Sequence, residues 1–336
     1  MKRITMLIFF IFTIFTVLYG QETSSEIIVQ GNTLTRKFEW LLSNAENGKI
    51  YVILFNRDET ITNSLNFDFD RREFTIIFRG TGAMRSINYT SSSAGPFIQI
   101  RSGITLILDS LVSITGITPW AFGREWEALI KIGLGGTLIM NNNTAISGNT
   151  SGRGITIDGG NFIMNGGIIS GNSGDGHGGG VLIRDEGTFT FNNGTISGNN
   201  ASNGGGGVCV ENGIFTMNNG NISGNTTGMS SSVSVDRDGT FIMTGGSISG
   251  NFGDFFGGVG VLGTFTMTGG TISGNYRYGV YLWSGGGIFN LNSPATKISI
   301  TNNTCPYNCT EVYHYHQVYI ENNSIFRVNG LRENSY

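Results

Sequence analysis

Carboxylates recur at one position in three successive stretches of the chain: Asp185 and Glu186, then Glu211, then Asp236 and Asp238, with Arg184 and Arg237 beside them. If those stretches stack, the acids form a ridge. A ridge of this kind offers the oxygen ligands that Ca²⁺ takes, or an acid/base pair for cleaving a glycosidic bond. The alternative is a solvated turn whose acids pair with the neighbouring arginines. Asn212 interrupts the ladder and no long loops flank it, which favours the turn. Asp175 and His177 share a glycine-rich loop, Gly174-Asp175-Gly176-His177-Gly178, and read as an acid/base dyad or a polar turn. A phosphate cradle is excluded there, because no helix follows. Cys305 and Cys309, followed by His314 and His316, carry ligand types that suit Zn²⁺. Their spacing fits no established finger, so a local disulfide or free thiols compete with a metal. Cys209 reads as a strand side chain. No catalytic, metal or cofactor site is assigned, and these residues stand as weak candidates.

What must position them is a repeat. Ile-Ser-Gly-Asn occurs with its serine at Ser147, Ser170, Ser197, Ser223, Ser249 and Ser273, in steps of 23, 27, 26, 26 and 24 residues. A degenerate seventh copy is read at Ile298, Ser299 and Asn302. A unit this short cannot bury its apolar residues alone and must stack on its neighbours. Each unit holds three strand-like pieces with period-two alternation. The second is centred on Leu138, Phe162, Phe189, Phe215, Phe241, Phe265 and Phe289. The reading predicts like-on-like columns: these residues, the methionines Met164, Met217, Met243 and Met267, and the isoleucines of the third piece. The asparagines that end each unit are expected to form a hydrogen-bonded ladder. Outward threonines (Thr188, Thr190, Thr216, Thr240, Thr264, Thr266) suggest a flat face of the kind that binds ice, but Ile163, Ile214 and Ile242 interrupt it. Thr is also simply favoured on exposed strands.

The expected fold is all-β, a right-handed parallel β-helix of about ten coils. An amphipathic helix over residues 32–47 would cap its first coil: Leu34, Phe38, Leu41, Leu42 and Ala45 recur at helical spacing, Asn32 or Thr33 can start it and Gly48 can end it. The chain of 336 residues divides into a signal peptide (1–20), an N-terminal segment with the helix (21–48), irregular first coils (49–133), regular repeats (134–303) and a C-terminal coil and tail (304–336). The signal is read from Lys2 and Arg3, the apolar run over residues 4–18 and the small Gly20. It implies export to the periplasm, cell surface or medium, with no membrane span in the mature chain. Charged residues are only 13% of the chain and the net charge is −3, with no basic stripe, which argues against nucleic acid as partner. The 53 glycines follow no three-residue period, so collagen is excluded.

At these repeats the chain resembles the pectate-lyase-like right-handed β-helix proteins of bacterial surfaces, spirochaete proteins among them, which carry Gly-Thr-Phe-x-Met-x-Gly-Gly-x-Ile-Ser-Gly-Asn units. It is also similar to the passengers of chlamydial polymorphic outer membrane proteins, which repeat Phe-x-x-Asn and Gly-Gly-Ala-Ile. Residues 162–165, 189–192 and 215–218 fit the first of those motifs, and Gly166-Gly167-Ile168-Ile169 approaches the second without its Ala. The likeness is strong over residues 134–300 and concerns architecture. Its motifs are structural and transfer no catalytic residue. Only about 35 residues follow the last clear coil, so the membrane barrel of autotransporter-type relatives is not expected. The resemblance and the missing groove favour a non-enzymatic interaction or adhesin-like module whose partners are glycans or envelope and extracellular proteins. The alternative is a polysaccharide lyase or glycoside hydrolase using Asp185, Glu211, Asp236, Asp238 or His177.

Overall fold

A computed structural model describes residues 25–90, 95–117, 128–292, 298–303, 318–320 and 325–329. The expected export signal and the Cys305, Cys309, His314 and His316 group lie outside the described residues.

The chain winds into a parallel β-solenoid of about ten turns. Among the described residues its strands form sheets of 20, 10 and 4 strands. The largest receives two strands from most turns, joined at a bend, and the next receives the Ile-Ser piece. The smallest was not foreseen: a two-residue piece follows the asparagine in four turns, Ser173–Gly174, Asn200–Ala201, Thr226–Thr227 and Phe252–Gly253.

Equal repeat length becomes equal register. Leu138, Phe162, Phe189, Phe215, Phe241, Phe265 and Phe289 pair in order. From Phe162 onward the successive rings are 4.6–4.9 Å apart and within 13° of parallel. That distance is the strand spacing of a sheet, so the backbone imposes the stack. Each such pair adds about 0.5–1.5 kcal/mol beyond area burial. Met140, Met164, Phe191, Met217, Met243 and Met267 form the neighbouring buried column. Ile146, Ile169, Ile196, Ile222, Ile248 and Ile272 form the third, buried throughout.

The asparagine ladder lies inside the molecule. Asn172, Asn199, Asn225, Asn251 and Asn275 each donate from Nδ2 to the Oδ1 of the next asparagine, at 2.9–3.1 Å, ending on Asn303. That same Oδ1 accepts the donor residue's backbone N–H. The second amide proton reaches an isoleucine carbonyl of the preceding turn, as from Asn225 to Ile196 at 2.9 Å.

The seventh copy of the repeat sits two residues later than its letters suggest. Ile272 pairs with Ile300 and Ser273 with Thr301, and the ladder continues at Asn303. Position 302 must adopt positive φ, as Gly274 does at 64°, and Asn302 does so at 55°. Asparagine tolerates this region, so Ile-Thr-Asn-Asn performs the turn of Ile-Ser-Gly-Asn.

The helix runs over Leu34–Asn44 with Thr33 as its N-cap. It stops at Ala45 rather than at Gly48, because a distant turn takes its last carbonyls. Arg72 donates to the carbonyls of Ala45 and Leu42 at 2.8 and 3.2 Å. Leu34, Lys37, Leu41 and Ala45 are buried, and Phe38 packs against Phe67 and Phe69, while Leu42 is exposed. The helix thus covers core residues of the first turn. Burial lowers the Lys37 ammonium below its usual range, and its Nζ donates to the Leu54 carbonyl. Among the described residues no helix is long and apolar enough to cross a membrane.

Candidate functional site

In the first strand of each regular turn, alternate residues point away from the core. Leu182, Cys209, Ser234 and Gly260 fall in register on this outer side. Yet Leu182, Cys209 and Ser234 are buried. The glycine-rich runs before Val181–Arg184 and Val208–Met217 double back over those strands. A Cβ on Gly178 would lie 2.7 Å from the Leu182 Cβ, and one on Gly205 only 2.5 Å from the Cys209 Cβ. Both glycines have positive φ, 71° and 66°. Only a residue without a side chain lets the backbone lie this close.

The same loop delivers His177. Its carbonyl accepts a hydrogen bond from Arg153 Nε at 2.6 Å, and its backbone bridges in parallel to Gly204 of the next turn. Glu211 and Asp236 follow the buried Val210 and Val235, and a bulge between Val210 and Asn212 sets Glu211 across from residues 236–237. One ligand atom each from His177, Cys209, Glu211 and Asp236 lies within 4.8 Å of the others. Ser234 Oγ donates to Asp236 Oδ1 at 3.3 Å. Burial pushes the Glu211 and Asp236 carboxyls up from their ordinary values, against the opposing pull of the His177 charge. Burial likewise pushes the Cys209 thiol well up. His177 Nδ1 is enclosed and has no hydrogen-bond partner among the described residues.

The expected ridge is therefore divided. His177, Glu211 and Asp236 converge. Asp185 and Glu186 sit apart in an exposed turn with φ of 53° and 64°. Asp238 is exposed and pairs in register with Asn212. Asp175 is exposed and accepts from Ser202 Oγ of the next turn. Arg184 ion-pairs with Asp158, which also holds Lys131 at 2.7 Å. Cys209 was the member that sequence reasoning passed over; the glycine runs at residues 178–180 and 204–207 were the signal that its strand is covered on the outside.

Further along the solenoid the same face becomes aromatic. Tyr281 follows Gly260 in register and stacks on Phe256 with ring centres 3.5 Å apart, and Trp283 packs edge-on to both. Phe252 and Phe255 are exposed. Phe252 packs at 4.4 Å against Tyr276 with the rings tilted by 41°, and the Arg277 guanidinium lies 5.5 Å from the Tyr276 ring centre. A cavity of about 690 Å³ lies at the opposite end, beside the helix, lined by Gln30, Asn32, Lys37, Leu54 and Arg57 among others. It gathers no carboxylate.

No protein-family profile matches the chain, and neither the curated proteins nor the solved structures include a match to it. Function rests on the geometry alone.

Proposed function

We propose that the protein is an exported, non-enzymatic interaction module of the pectate-lyase-like β-helix type that binds glycans along its outer wall. One observation carries this reading. The column Ser173, Asn200, Thr226 and Phe252 runs in register across four turns, and Tyr276 extends it. Its N-terminal half presents hydroxyl and amide groups, with Thr226 Oγ1 donating to Asn200 Oδ1 at 2.8 Å and Asn200 Nδ2 to Ser173 Oγ at 3.2 Å. Its C-terminal half presents two adjacent aromatic rings, Phe252 and Tyr276, tilted 41° to each other. The C–H face of a sugar ring packs on an aromatic plane while its hydroxyls need polar partners beside it, and this column repeats at the strand spacing. Binding to an array of glycans and matrix proteins tests the reading: Phe252→Ala is expected to weaken retention at least about tenfold, a loss of roughly 1.4 kcal/mol. Failure of the wild-type chain to retain any glycan would refute it.

A second reading is supported by the convergence of Glu211, Asp236 and His177: a polysaccharide lyase or glycoside hydrolase. Depolymerisation of uronate polymers, with and without Ca²⁺, that disappears in Asp236→Asn would favour it over the first.

A further inference from the structure

Four side chains of mixed donor type meet beneath the loop that carries His177: an imidazole, a thiol and two carboxylates. They come from three successive turns, Cys209 and Glu211 from one strand, and the thiol is fully buried. Glycines at residues 178 and 205 press the covering backbone onto the strands below. Packing alone does not call for a thiol here, since the apolar Leu182 fills the equivalent outer position one turn earlier. The enclosed His177 Nδ1, which lacks a partner, is a second and separate sign that the cluster is incomplete as it stands.

We propose that His177, Cys209, Glu211 and Asp236 form a binding site for a borderline transition-metal cation of the Zn²⁺ class. The donor set decides the metal. Hard Ca²⁺ and Mg²⁺ take oxygen ligands, whereas thiolate and imidazole select zinc and its neighbours. Four protein ligands satisfy a tetrahedral ion. Bond lengths of about 2.0–2.3 Å place the ligand atoms of such a site roughly 3.3–3.7 Å apart. The present limit of 4.8 Å therefore requires a contraction of about 1 Å. Glu211 and Asp236 are half-buried and supply that movement, while Cys209 is held in its strand. Outer partners are already in place: Ser234 orients Asp236, and Arg153 holds the His177 carbonyl. The ligands bridge three successive turns, so the ion acts as a clip across them. This site is independent of the glycan reading, which uses a different column.

The test uses the full chain with Cys305 and Cys309 replaced by Ser, stripped with a chelator and titrated with Co²⁺ and then Zn²⁺ alone. The expected result is one ion per chain, with tetrahedral ligand-field bands and a thiolate-to-cobalt charge-transfer band that Zn²⁺ displaces. Cys209→Ser removes the charge-transfer band. His177→Gln, at a half-buried loop position, weakens affinity by more than about 100-fold, beyond the ~10–100-fold that outer-sphere partners contribute. Asp185→Asn leaves affinity unchanged. Absence of the charge-transfer band in the folded parent, unchanged affinity in His177→Gln, or uptake of Ca²⁺ in preference to Co²⁺ and Zn²⁺ would each overturn the proposal.

Discussion

Replacing Asn225 by Ala isolates what the interior ladder contributes. The side chain donates to the Ile196 carbonyl at 2.9 Å and to Asn251 Oδ1 at 3.1 Å, and accepts from the Asn199 backbone N–H and Nδ2 at 3.1 and 3.0 Å. Truncation leaves the Asn199 N–H and one Asn199 amide proton unpaired in a fully buried setting, while the Ile196 carbonyl keeps its place in the strand ladder and loses only its side-chain donor. Each orphan costs about 1–3 kcal/mol. Water entering the vacated space recovers part of this, so the expected loss is about 2–4 kcal/mol. Asn218 supplies the control. It sits in a second asparagine column, donating to Asn192 Oδ1 at 2.8 Å and accepting from Thr244 Oγ1 at 3.0 Å, but on the surface. Water replaces its partners, so Asn218→Ala is expected to cost no more than about 0.5 kcal/mol. Urea denaturation followed by circular dichroism reads both, with midpoint shifts compared at constant slope. A difference between the two variants below about 1 kcal/mol would refute the argument that burial, not the hydrogen-bond count, sets the energetic weight of the ladder.

Phe215→Ala, which opens a gap in the middle of the ring stack, is expected to cost about 3–5 kcal/mol in the same assay; a cost below 1 kcal/mol would mean that the stack is not packed as described. Burial alone would raise the Asp158 carboxyl, but hydrogen bonds from Arg184 and Lys131 and their charges outweigh it and hold the value below the usual range. Its contribution is therefore complete above the ordinary carboxyl value of about 3.9 and is lost as pH falls through the depressed folded value. Asp158→Asn should cost about 1–3 kcal/mol at pH 7, with the gap from wild type closing below about pH 4; a gap independent of pH would contradict this. Gly205→Ala places a methyl group 2.5 Å from the Cys209 Cβ at a φ of 66°, and is expected to destabilise by about 1–3 kcal/mol; a melting temperature equal to wild type would show that the covering loop is not seated on the strand.

The columns were legible in the sequence because one turn equals one repeat. Once Phe162, Phe189 and Phe215 recur at nearly constant spacing, stacking is the way all of them reach an interior. The ladder was legible for the same reason. Where the letters changed but the geometry did not, reading failed: Ile298 and Ser299 resemble the motif, yet the turn needs a residue at positive φ just before the ladder asparagine, and Asn302 and Asn303 meet that need. The early end of the helix was invisible because Arg72, which takes its carbonyls, lies in a later turn. The four-residue cluster was hidden for a related reason. Alternation assigns Cys209 to an exposed face, and only the fold of the glycine-rich loop over that face buries it and brings His177 beside Glu211 and Asp236.

Stacking in register is the claim on which the rest depends, and distances along one outward column measure it. Ile107, Ile139, Ile163, Thr190, Thr216, Ile242 and Thr266 succeed one another across the wall. Spin labels on Ile139 and Thr266 span five steps and labels on Ile107 and Thr266 span six, in a chain lacking Cys305 and Cys309. At about 4.8 Å per step, dipolar spectroscopy should give backbone separations near 24 and 29 Å. Equal distances for the two pairs, or values that do not grow by one strand spacing per turn, would contradict the solenoid.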